Sequence, residues 1–142
     1  LTGAFKPCID RDFPTLPGRE YTFIGGSSMG GLMSLYAVTA YNSVFSRCAA
    51  LSPSLWFGGE KAERMLTSHR LRRGTVVYMD YGERELHHRD GMSGTFGRYA
   101  SLLMGKGALV TARIVPGGDH SEASWEKQVP FFMETLFYGL EL

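Results

Sequence analysis

Tyr21-Thr22-Phe23-Ile24-Gly25-Gly26-Ser27-Ser28-Met29-Gly30-Gly31-Leu32 is the stretch on which the reading of this chain turns. Its first four residues are apolar and β-leaning, its centre is rich in glycine, and an apolar helix-like run follows from Leu32 to Tyr41. Strand, Gly-x-Ser-x-Gly, helix is the pattern of a nucleophile elbow, a turn so sharp that its central residue takes a strained backbone conformation. Small residues are expected two places before and two places after that centre, where larger side chains would collide. Only one frame satisfies this: Gly26 and Gly30 flank Ser28, whereas centring on Ser27 would put Met29 where a glycine is needed. A glycine-rich turn into a helix also suits phosphate. Here the Lys-Ser/Thr ending of a Walker loop is absent, and the spacing does not make G-x-G-x-x-G. Ser28 is therefore the candidate nucleophile.

The chain has 142 residues, enough for one domain or part of one. Apolar residues make up 44% and charged residues 20%, the balance of an ordinary globular protein. A formal charge of +1 provides no basic face for nucleic acid. No apolar run approaches the roughly 20 residues that span a bilayer. Cys8 and Cys48 form neither a disulfide framework nor a metal-site spacing, and both are expected to be small buried hydrophobes. The first residue is Leu1, with nothing near it that reads as a signal peptide. The expectation is a segment that begins inside a longer protein, with a cytoplasmic location favoured.

Outward from the elbow, strands and helices alternate. A helix start (Phe5, Cys8, Ile9) and a proline-punctuated turn precede the elbow strand at 21–26 and its helix at 29–42. A short strand at Arg47–Leu51 ends in Ser52-Pro53-Ser54, and a helix follows near Glu60–Arg70. Thr75–Tyr81 is β-branched and aromatic between two glycines, the clearest strand of all. A helix near Thr95–Met104, a strand at Leu109–Val115 and a last helix near Ser124–Phe137 complete the chain. Such alternation implies an α/β fold, with parallel strands and helical crossovers packed as three α/β/α layers. Nothing precedes the elbow strand to pair with its far side. That exposed edge predicts a homo-oligomer, or association with further strands.

In open α/β sheets, chemistry collects beyond the carboxyl ends of the strands. The strand at 75–81 ends in Gly82-Glu83-Arg84-Glu85, and the strand at 109–115 ends in Gly117-Gly118-Asp119-His120. Ser28, an acid and His120 thus fall on three strand ends in the order serine, acid, histidine. A serine hydroxyl needs a base to take its proton, and a carboxylate to hold that imidazole and stabilise its cation. Glu85 is the leading acid, three residues beyond Gly82 and able to reach over the sheet; Asp80 and Glu83 remain open. The Met29 amide, at the start of the elbow helix, is the expected oxyanion donor. His69, His87 and His88 read as surface residues. Trp56, Phe57 and Trp125 are candidates either for packing or for lining a substrate pocket, Trp56 first.

Pro7-x-Ile9-Asp10, Thr15-Leu16-Pro17-x-Arg19-Glu20, the GSSMGGL core at 26–32, Ser52-Pro53-Ser54-x-Trp56 and Gly118-x-His120 with Trp125 resemble the esterase branch of the α/β-hydrolases. That branch includes enterochelin (ferric-siderophore) esterases, feruloyl and acetyl-xylan esterases, S-formylglutathione hydrolases and mycolyltransferases. The resemblance implies the C-terminal half of an α/β-hydrolase domain over residues 1–142, with a mostly parallel sheet. The loop supplying the second oxyanion donor would lie in the other half. It implies a serine esterase acting on a small-molecule ester, with Ser28 as nucleophile, His120 as base and Glu85 as the approximate match to the acid. No metal or organic cofactor is implied. An acyltransferase with the same three residues, and a non-catalytic fragment serving binding or assembly, are the alternatives.

Overall fold

The computed structural model describes residues 1–88 and 90–140. Four strands, β1 (Phe23–Ser27), β2 (Arg47–Leu51), β3 (Val76–Gly82) and β4 (Leu109–Val115), form one parallel sheet in the order β1-β2-β3-β4. Every residue of β2 and β3 is buried, as befits the middle strands of a sheet covered on both faces, and the two charged ones, Arg47 and Asp80, are hydrogen-bonded there. β1 and β4 occupy the edges and are only partly covered. The register aligns Ser27, Leu51, Asp80 and Arg113, so the loops after the four strands open at one end of the sheet.

Helices α1 (Phe5–Asp12), α2 (Met29–Ala40), α3 (Gly59–Thr67), α4 (Glu83–His87), α5 (Met92–Gly105), α6 (Glu122–Trp125) and α7 (Val129–Phe137) accompany the strands. Side chains alternate across each strand, and each face collects its own core. Cys48, Ala50, Val77, Met79 and Tyr81 meet Leu32, Leu35 and Val38 of α2, Leu66 of α3, and Phe96, Tyr99 and Leu103 of α5. On the other face Ala49, Leu51 and Tyr78 meet Leu136 of α7, with Phe132 and Trp125 packed against them. Arg47 reaches from β2 to the end of α7, where its guanidinium donates to the carbonyls of Leu136 (2.7 Å) and Tyr138 (2.8 Å). Those carbonyls belong to the last turn, whose acceptors have no partner within the helix.

Three details depart from the sequence expectation. Cys8 is exposed: α1 buries none of its residues, so a small thiol there has no core to enter, while Cys48 is fully buried as expected. The last helical region is not continuous. It runs as α6, a 3₁₀ turn at Glu126–Gln128 and α7, and Pro130 falls in the first turn of α7, where its missing N–H costs nothing. The stretch after Gly82 forms α4, which at five residues is too short for apolar periodicity to announce it.

Candidate active site

The turn between β1 and α2 holds Ser28 at φ 56° and ψ −119°, a positive-φ conformation that few non-glycine residues adopt. Backbone hydrogen bonds hold it there: Ser28 N–H donates to Leu51 C=O (2.9 Å), and Ser28 C=O accepts from Ser54 N–H (3.0 Å) and Leu32 N–H (3.1 Å). Crowding explains the flanking glycines, though not all as expected. A Cβ on Gly26 would lie 2.8 Å from the Gly30 carbonyl carbon, so Gly26 is required. A Cβ on Gly30 would meet nothing within 4 Å. The tight place on the helix side is Gly31, whose Cβ would come within 3.0 Å of the Leu51 carbonyl and Pro53 Cα. Closeness to the end of β2 and the loop after it dominates that requirement, with the Gly26 carbonyl 3.2 Å away across the turn adding to it.

From this turn Ser28 Oγ lies 2.9 Å from His120 Nε2 and 3.3 Å from Ser54 Oγ. His120 Nδ1 lies 2.7 Å from Glu85 Oε2. One line of hydrogen bonds therefore joins Ser28, His120 and Glu85 across three strand ends. The His120 side chain is 46% exposed, whereas that of Glu85 is 9% exposed. The carboxylate is held from beneath, for its Oε1 accepts from Gly82 N–H (2.9 Å) and Ser52 Oγ (2.5 Å). A glutamate in the first turn of a short helix folds readily back onto the N-cap amide.

The loops carrying acid and histidine touch directly. Arg84 N–H donates to Gly118 C=O (3.0 Å), and Gly117 N–H donates to Glu83 Oε2 (2.8 Å). A Cβ on Gly82 would stand 2.4 Å from the Gly118 carbonyl, so only glycine permits this crossing. Glu83 is thus spent on the neighbouring loop, and does not meet His120. Asp80 is 1% exposed; it accepts from Ser52 N–H (3.1 Å) and Tyr78 Oη (2.8 Å), and burial raises its carboxyl above the ordinary value of 3.8. Burial likewise raises the Tyr78 phenol. The Met29 amide opens α2, one of the donors a helix start leaves without an intrahelical partner.

A cavity of about 420 Å³ adjoins Glu85 and His120, with Trp56, Arg84, His88 and Asp119 among its walls. Trp56 is half exposed there and stacks edge-on against Phe57, 6.1 Å between centroids. His88 is a cavity wall, and His69 lies away from it, bonded to the Met65 carbonyl. Trp125 packs edge-on against the His120 ring (5.0 Å, 83°) and donates its indole N–H to Ser52 Oγ (3.0 Å). Sequence reasoning had no role for Ser52 or Ser54. Their only signal was the Ser-Pro-Ser run at the end of β2. Among the described residues no three His, Cys, Asp or Glu side chains gather as metal ligands, and no helix is long and apolar enough to cross a membrane.

The family model described as "Putative esterase" matches residues 1–140. The chain belongs to this esterase family. Its fold is similar to that of the enterobactin esterase FES of Shigella flexneri, with a TM-score of 0.79 and 20% identity over 96% of this chain and 36% of that one. It is also similar to FphF, a fluorophosphonate-binding serine hydrolase of Staphylococcus aureus, with a TM-score of 0.68 and 16% identity over 92% of this chain and 60% of that one. Among curated proteins, YbbA of Bacillus subtilis, itself uncharacterized, is 30% identical over 86 residues, 60% of this chain and 34% of that protein. The chain thus spans about a third of the curated relative and between 36% and 60% of these solved chains.

Proposed function

We propose that this chain carries the catalytic centre of a serine esterase that cleaves carboxylic esters through an acyl-enzyme. The observation that carries the reading is the unbroken line Ser28 Oγ to His120 Nε2 (2.9 Å) and His120 Nδ1 to Glu85 Oε2 (2.7 Å), which starts from a strained serine at a strand end. His120 takes the hydroxyl proton as Ser28 Oγ attacks the ester carbonyl. Glu85 fixes the tautomer that leaves Nε2 free to accept, and stabilises the imidazolium that forms. The oxyanion that develops is met by the Met29 amide. His120 returns the proton to the departing alcohol, and water then releases the acid by the same steps in reverse order. Trp56 borders the cavity beside His120 and is the substrate contact of this reading.

Labelling with a fluorophosphonate probe and hydrolysis of p-nitrophenyl acetate test this. Ser28→Ala is expected to abolish both. Labelling that survives the substitution would refute the assignment.

A further inference from the structure

The acid of this site has a support of its own, built from a residue that touches no reacting atom. Ser52, the first residue after β2, is 1% exposed and one of two non-glycine residues with positive φ (40°) among those described; the other is Ser28. Its backbone N–H donates to the Asp80 carbonyl (3.0 Å) and carboxylate (3.1 Å), which pins the turn to β3. Its hydroxyl then faces two groups at once. It receives the Trp125 indole N–H at 3.0 Å and lies 2.5 Å from Glu85 Oε1. An indole can only donate and an ionised carboxylate can only accept, so the single Ser52 proton must point to Glu85. Trp125 in turn packs on the ring of His120.

We infer that Ser52 is a positioning residue: oriented by Trp125, its hydroxyl anchors Glu85 Oε1 so that Oε2 faces His120 Nδ1. The inference rests on the esterase reading for its effect on rate, but not for its geometry. The strained backbone supports it. Glycine or asparagine suits a left-handed residue better. A serine kept there bears a cost in conformation that its hydroxyl offsets by holding the acid. The scale expected is that known for outer-sphere partners of metal ligands, which orient a functional side chain in the same way and whose loss costs about 10–100-fold.

Ser52→Gly separates the hydroxyl from the backbone, because glycine relaxes the left-handed turn while deleting the donor. For the 142-residue chain the expected result is a Tm no lower than that of the parent, fluorophosphonate labelling and kcat down about 10–100-fold, and KM unchanged. A second readout needs no activity. The His120 Nδ1–H held by Glu85 gives a downfield proton resonance, identified by its loss in His120→Ala, which is expected to vanish or broaden in Ser52→Gly. Trp125→Phe keeps the ring on His120 but removes the indole N–H; it should cause a smaller loss, and none beyond that of Ser52→Gly when the two are combined. Should Ser52→Gly fail to fold, Trp125→Phe alone decides, by loss or persistence of the resonance and the rate. A folded Ser52→Gly chain with parental labelling and an intact resonance overturns the inference. If the parent chain does not label at all, the esterase reading fails for this chain by itself, and the resonance alone then judges Ser52.

Discussion

Asp80 and Glu85 lie five positions apart and live in opposite surroundings. Asp80 sits buried within β3, bonded to Tyr78 and the Ser52 amide, and Glu85 stands beyond the strand end with one oxygen on His120. Glu85→Gln is therefore expected to lower kcat on the order of 10²–10⁴-fold, because the imidazolium loses its partner. Asp80→Asn should change kcat less than tenfold, and steady-state kinetics on both variants checks the pair. Asp80 also carries a pH dependence of its own. Burial raises the Asp80 carboxyl above 3.8, so the folded chain holds this proton more tightly than the unfolded chain. Stability from this group is greatest below pH 3.8 and declines as pH rises through the raised value. Relative to the parent, Asp80→Asn should gain stability over that window. Urea unfolding at a series of pH values would reveal the trend, and an opposite trend would mean that the bonds from Tyr78 and Ser52 outweigh desolvation.

Two junctions between elements depend on glycine for different reasons. After β3, the chain passes so near Gly118 that a Cβ at Gly82 would meet backbone 2.4 Å away, and backbone cannot swing aside. Gly82→Ala is expected to cost about 1–3 kcal/mol and to separate the loops that carry Glu85 and His120, lowering stability and rate together. After β1, the requirement belongs to Gly26 and Gly31, while Gly30 faces open space inside α2. Gly30→Ala should therefore be tolerated, and should stabilise the helix by about 0.5–1 kcal/mol. Thermal unfolding of the two variants measures both effects. A severe loss of stability in Gly30→Ala would restore the expectation that the turn itself excludes a side chain there.

The β1 edge of the sheet is open and bordered by apolar surface. β1 is an edge strand bordered by two apolar cavities, about 620 Å³ beside α1 and about 540 Å³ beside α7. Phe5 (62% exposed), Leu16 (57%) and Phe137 (40%) rim them. Unpaired strand edges and contiguous apolar surface are commonly closed by association. The 142-residue chain is expected to be a dimer or larger by light scattering, and Leu16→Lys should shift it toward monomer. A stable monomer at high concentration would show that this edge is tolerated in water.

Local pattern alone determined the alternation of strand and helix, the four strands, and the elbow that singles out Ser28. Each of these depends on steric and periodic constraints within a few residues, which a linear string displays. The parallel α/β architecture follows from that alternation, because parallel neighbours require a crossover. Tertiary structure decided which carboxylate meets His120, since Glu83, Glu85 and Asp80 differ only in where a five-residue helix and a strand aim them. It also decided that Gly31 and Gly82 are the crowded positions, a matter of contact with β2 and with the loop at Gly118. Ser52 and Trp125 lie 73 positions apart and meet only because the β2 and β4 loops open at one end of the sheet. Hydrogen bonds between such distant residues leave no periodicity in the sequence, and so the support beneath Glu85 became visible only in three dimensions.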